Sequence, residues 1–85
     1  MNKYIEAIED LNEDAIVILG DFDDCIVGIA KKIDGCVIVY SEKLIIEKLS
    51  KDMSEEDALE YYNYNILGGY FGENNPVFMI DIGNH

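Results

Sequence analysis

CIVGIAKKIDGCVIVY, residues Cys25–Tyr40, is the stretch on which the fold turns. Both halves are short runs rich in β-branched residues, and Asp34-Gly35 between them is a strong two-residue turn signal, so an antiparallel hairpin is predicted. A tight turn at that point sets Ile33 opposite Cys36 and Lys31 opposite Ile38. Cys25 then lies near the far end of the ladder, too far along it to meet Cys36. Gly28 interrupts the first strand, where a glycine permits a bulge, a close backbone approach or entry of a ligand. Lys31 and Lys32 are the only adjacent positive charges, suited to guarding a sheet edge or to meeting an anion.

Before the hairpin, Gly20-Asp21-Phe22-Asp23 has turn composition, and the solidly apolar, β-branched run Ala15–Leu19 predicts a buried central strand. Tyr4, Ile5, Ile8 and Leu11 recur at helical spacing and predict a short amphipathic helix ending near Asn12. After the hairpin, Ser41 is an N-cap for a helix reaching about Lys51, with Leu44, Ile45 and Leu49 turned inward. Ser54-Glu55-Glu56-Asp57 is a variant capping box, with three acids suited to the positive end of a helix dipole. Ala58, Leu59, Tyr62 and Ile66 form the apolar stripe of that second helix, Gly68-Gly69 ends it, and the residues from Val77 to Ile80 read as a closing strand after Pro76. The expected order is α-β-β-β-α-α-β, an α+β fold in which a small antiparallel sheet packs against helices.

The whole chain of 85 residues reads as one domain, with a frayed tail over residues 82–85. Folding should leave roughly 5,000 Å² exposed of the roughly 14,000 Å² the unfolded chain presents, a modest core that self-association would help. An apolar share of 49% marks a folding chain despite a net charge of -12. All six basic residues are lysines, against eighteen Asp and Glu. Such a balance argues against polymeric nucleic acid, which is bound by a basic face, and for a basic protein surface as partner. A small nucleotide is less strictly excluded, because backbone amides and a lysine or two neutralise a few phosphates. The N-terminal residues lack signal-peptide character, and no apolar run approaches the roughly 20 residues of a spanning helix, so no membrane association and an intracellular location are expected. Cys25 and Cys36 lack the spacing of a zinc or disulfide framework and read as reduced thiols.

Asp21, Asp23 and Asp24 lack the central glycine and final glutamate of a calcium loop, and Lys32 stands where that glutamate belongs. They read as a solvated turn, and no metal is expected. The one histidine, His85, is the last residue, and neither Ser41 nor Ser50 has a nearby base, so nucleophilic catalysis is not expected. Glu55, Glu56, Asp57 and Glu60 decorate one exposed helix face. The sequence therefore leans towards a protein that is not an enzyme and needs no cofactor.

The unusual segment is EYYNYNILGGYFGENNP, Glu60–Pro76, where four tyrosines alternate with asparagines and glycines. Tyrosine offers a flat ring and a hydroxyl, asparagine a paired donor and acceptor, and glycine a close approach for a backbone amide. Tyr62 belongs to the apolar stripe, and the glycines also serve as turns. Tyr61, Tyr64 and Tyr70 are less well explained by one core and suit a binding or dimer surface. Tyr40-Ser41 adds a helix start that receives an anion or is simply capped.

In FDDCIVGIA (Phe22–Ala30), VIVYSEKLI (Val37–Ile45) and MSEEDALEYYNYNILGGYFGENNPVF (Met53–Phe78) the chain resembles a group of small virus-encoded proteins. The resemblance points to phage sponge proteins of the anti-CBASS type, which sequester cyclic oligonucleotide signals of antiphage defence. It implies immune evasion in the cytoplasm of the infected host cell by a homodimer or higher homo-oligomer that holds a cyclic oligonucleotide without cleaving it. It also implies ligand contacts from Asp24, Tyr40, Ser41, Asn65, Tyr70 and Glu73. The acidic balance and the absence of arginine depart from what a phosphate binder ideally shows. The competing expectation is an acidic inhibitor, anti-CRISPR-like or mimicking DNA, that occupies a host nucleic-acid-binding protein with carboxylates in place of phosphates. A virion or scaffold component assembled through its tyrosines is a third.

Overall fold

The computed structural model describes residues 2–18, 20–69 and 72–82. Helix α1 (Lys3–Leu11) begins where the Asn2 side chain accepts the amides of Tyr4 and Ile5, and it buries Ile8. At its end the Asn12 amide donates to the Cys36 carbonyl at 2.8 Å and to the Asn74 side-chain oxygen at 3.0 Å. One side chain thus joins the first helix to the sheet and to a loop 62 residues away in sequence.

A single 3-10 turn, Asp23–Cys25, leads into strand β1 (Ile26–Lys32), which pairs antiparallel with β2 (Gly35–Ser41). The hairpin forms as expected, but its register differs by two residues: Lys31 faces Cys36 and Lys32 faces Gly35. Ile33 and Asp34 are the turn, and Gly35, at φ +143°, opens β2. No described non-glycine residue takes a positive φ, so the glycine supplies the left-handed position just after the turn instead of inside it. Ile33 is carried to the exposed tip. The register steps between Ile26 and Gly28, which leaves Val27 as the extra residue of a bulge beside Gly28, where a Cβ would meet open space.

The expected central strand is not part of the sheet. Residues 15–18 run without a ladder partner, yet Ile18 is 3% exposed. The Ile16 amide donates to the Asn74 carbonyl and the Ile18 amide to the Tyr40 hydroxyl, each at 3.0 Å. Ile18 enters the core while Ala15, Ile16 and Val17 are half-buried, and the Ile16 and Ile18 amides are met by a loop and a side chain, not by a neighbouring strand. Leu19 lies outside the described residues.

Helix α2 (Glu42–Leu49) and helix α3 (Glu55–Tyr61) follow, and α3 continues into a π-helical turn, Tyr62–Leu67, before β3 (Val77–Met79). The sheet order is β1-β2-β3, with β3 parallel to the central β2. The sheet is therefore mixed and not purely antiparallel, because the two-helix crossover brings the chain back beside the last three residues of β2, Val39 to Ser41, and β3 runs along them in the same direction. Helix α2 stops two residues short of Lys51. The tail expected over residues 82–85 lies, beyond Ile82, outside the described residues.

Ile38 and Tyr40 from β2 meet Ile8, Ile18, Cys25, Ile26, Ile45, Tyr62 and Ile66 in one core. Phe78 of β3 stacks beside Tyr40, with ring centres 6.0 Å apart, and receives Tyr62 edge-on at 5.6 Å. Ala58, Tyr62 and Ile66 recur every fourth residue and are buried, while Leu59, expected in the same stripe, is 47% exposed. So narrow a line of burial leaves most of α3 and its π turn facing outward.

Candidate functional site

Among the described residues, hollows open beside α2 and beside α3. The smaller, about 160 Å³, lies between the 3-10 turn and α2 and is lined by Asp24, Cys25, Leu44, Glu47, Lys48 and Lys51. Lys48 donates to both Asp24 oxygens, at 2.8 and 2.9 Å, and sits 3.4 Å from Asp21. The hydrogen bond from Lys48 lowers the Asp24 carboxyl, and the same bond raises the Lys48 ammonium. The buried Cys25 thiol is pushed up to about 11, chiefly by desolvation and then by the Asp24 charge, which keeps it protonated and poorly nucleophilic. The group ties a loop to a helix, and its one well-placed cation is already neutralised.

The larger hollow, about 370 Å³, is lined by Met53, Asp57, Glu60, Tyr61, Tyr64 and Asn65. Ser54 caps α3 by accepting the Asp57 amide at 3.1 Å, which fixes where the helix starts and hence its phase. From Asp57 onward the lining residues are spaced by three or four, one stripe on one element. In the π turn the Gly68 amide reaches the Asn63 carbonyl five residues back, at 3.1 Å. That wider winding holds Tyr62 and Ile66 inside and turns Asn63, Tyr64 and Asn65 outward, with Tyr64 77% exposed and Tyr61 44%. A Cβ at Gly69 would lie 2.5 Å from the Asn65 carbonyl oxygen, so glycine is required where the turn closes. Neither Asp57 nor Glu60 is ion-paired among the described residues. The lining carries two carboxylates and no cation.

Of the six residues that the resemblance implied, the five described ones do not line a common hollow. Tyr40 and Ser41 are fully buried: Tyr40 accepts the Ile18 amide, and Ser41 accepts the Leu44 amide while donating to Asp81 at 3.1 Å. Both side chains are buried and hold the fold together, and neither lines either hollow. Asp24 lies in the smaller hollow and Asn65 in the larger. Glu73 is exposed on the loop before β3, where its carbonyl accepts Lys32 at 2.7 Å, and it lines neither hollow. Tyr70 lies outside the described residues. Sequence reasoning passed over Met53, Asp57 and Glu60 as lining; the spacing 57-60-61-64-65 was the signal that places the acids beside the tyrosines.

Among the described residues no group of three or more His, Cys, Asp or Glu is arranged to hold a metal ion, and no helix is long and apolar enough to cross a membrane. No protein-family model, curated protein or solved structure matches the chain.

Proposed function

We propose that this is a stoichiometric binding protein, without bond-breaking activity, that docks the acidic, tyrosine-bearing face of α3 and its π turn on a basic, nucleic-acid-binding surface of another protein. The observation that carries this is the composition of the larger hollow: Asp57 and Glu60 beside Tyr61, Tyr64 and Asn65, with no lysine in the lining. Tyrosine is the side chain that interfaces favour as an anchor, and unpaired carboxylates around it steer a basic partner and weaken with salt. A net charge of -12 acts in the same direction at long range. The test is titration against purified DNA-binding domains with and without their DNA. Binding to the free domain, competed by DNA and lost at about 0.5 M salt, is expected. Binding indifferent to both salt and DNA, or to none of the domains, overturns the proposal.

Sequestration of a cyclic oligonucleotide by a phage immune-evasion protein in the infected cell is the second reading. What favours it is that Asn65 and two exposed tyrosine rings share one hollow, within the usual range of small-ligand pockets, which begins at about 300 Å³. The two carboxylates oppose phosphate, which is why it stands second. Calorimetric titration with a panel of cyclic dinucleotides and trinucleotides tests it, and silence with every member rejects it. The homodimer or higher oligomer that accompanies this reading is checked by native mass spectrometry.

A further inference from the structure

We infer that the α3 hollow is a receptor for one cationic side chain, a lysine or an arginine, projecting from the partner's basic surface. This rests on the docking proposed above and names what enters the site. The hollow combines shape, ring faces and charge. Tyr61 and Tyr64, three residues apart on one element, expose rings whose faces attract a cation, and the soft thioether of Met53 lies in the same lining. Asp57 and Glu60 belong to the same stripe and carry negative charge that no described lysine neutralises. Asn65 adds an amide oxygen that accepts from an ammonium or a guanidinium. A volume of about 370 Å³ is too small for a folded element and ample for one long side chain. An anionic guest meets two carboxylates and no counter-charge there.

The experiment follows the amide resonances of the isotopically labelled chain during titration with the blocked peptide acetyl-Gly-Arg-Gly-amide and with its citrulline counterpart, which keeps the shape and loses the charge. Shifts centred on residues 53–65 with the arginine peptide, and none with citrulline, are expected. Tyr64→Ala and Glu60→Gln should each weaken the arginine peptide by about tenfold. Both positions are exposed, so unchanged melting confirms that the variants fold. Equal shifts from citrulline, shifts centred elsewhere, or full affinity in both variants overturn the inference. If a basic domain still binds Tyr64→Ala at full strength, this receptor falls while the docking reading stands; if no basic domain binds the unaltered chain, the docking reading itself falls.

Discussion

The Tyr40 hydroxyl accepts the Ile18 amide at 3.0 Å inside a fully buried site, so Tyr40→Phe leaves a donor without its acceptor. A loss of about 1–3 kcal/mol is expected, read from the urea midpoint. Ser41→Ala removes the cap of α2 and the bond to Asp81, and should cost about 1 kcal/mol by the same measurement. Lys48 holds the folded Asp24 carboxyl below its ordinary 3.8, so the folded chain takes up that proton less readily than the unfolded one. The stabilisation is therefore present above pH 3.8 and lost as pH falls through the depressed folded value. Lys48 is raised above 10.5, and its share is present below that pH and lost as pH climbs through the folded value. Melting curves of Lys48→Met should lack both contributions. Cys25, buried and raised to about 11, should resist iodoacetamide at about pH 8 until the chain unfolds, which peptide mapping reports.

At the scale of elements, the π turn determines what the protein presents. An uninterrupted α-helix through residue 67 would rotate Tyr64 and Asn65 relative to Tyr61, because each turn would close one residue earlier. Gly69 is where that winding can be broken. Gly69→Ala places a methyl group 2.5 Å from the Asn65 carbonyl oxygen and should destabilise by about 1–3 kcal/mol while shifting the amide resonances of residues 62–68. Helices α2 and α3 were legible because Ser41 and Ser54 are capping residues placed just before periodic apolar positions, and both cap in the structure; α1 was legible from its apolar spacing, and its cap, Asn2, emerged only in the structure. The stretch from Ala15 was legible as apolar but not as lying outside the sheet, and of its described residues only Ile18 is buried: an apolar β-branched run looks alike whether its amides meet a strand or a tyrosine hydroxyl.

Over the whole molecule, eighteen acids face six lysines, and of the lysines only Lys32 and Lys48 form ion pairs among the described residues. Self-repulsion on that scale should be screened by salt, so the melting temperature is expected to rise between about 10 mM and 300 mM NaCl. A fall would mean that the Lys48 pairs outweigh the general repulsion. The same charge that burdens the free protein favours the basic partner proposed above.

Local chemistry in the chain determined the caps, the hairpin, the helices and an acidic character with tyrosines clustered after Glu60, since each depends on residues close in sequence. Tertiary packing alone decided that β3 joins β2 in parallel, that Tyr40 and Ser41 spend their polar groups inside the fold, and that the stripe of Asp57, Glu60, Tyr61, Tyr64 and Asn65 is left exposed. The physical reason is that exposure and pairing belong to contacts between distant segments: a tyrosine carries the same ring and hydroxyl at either position, and only what packs over it makes it core or surface.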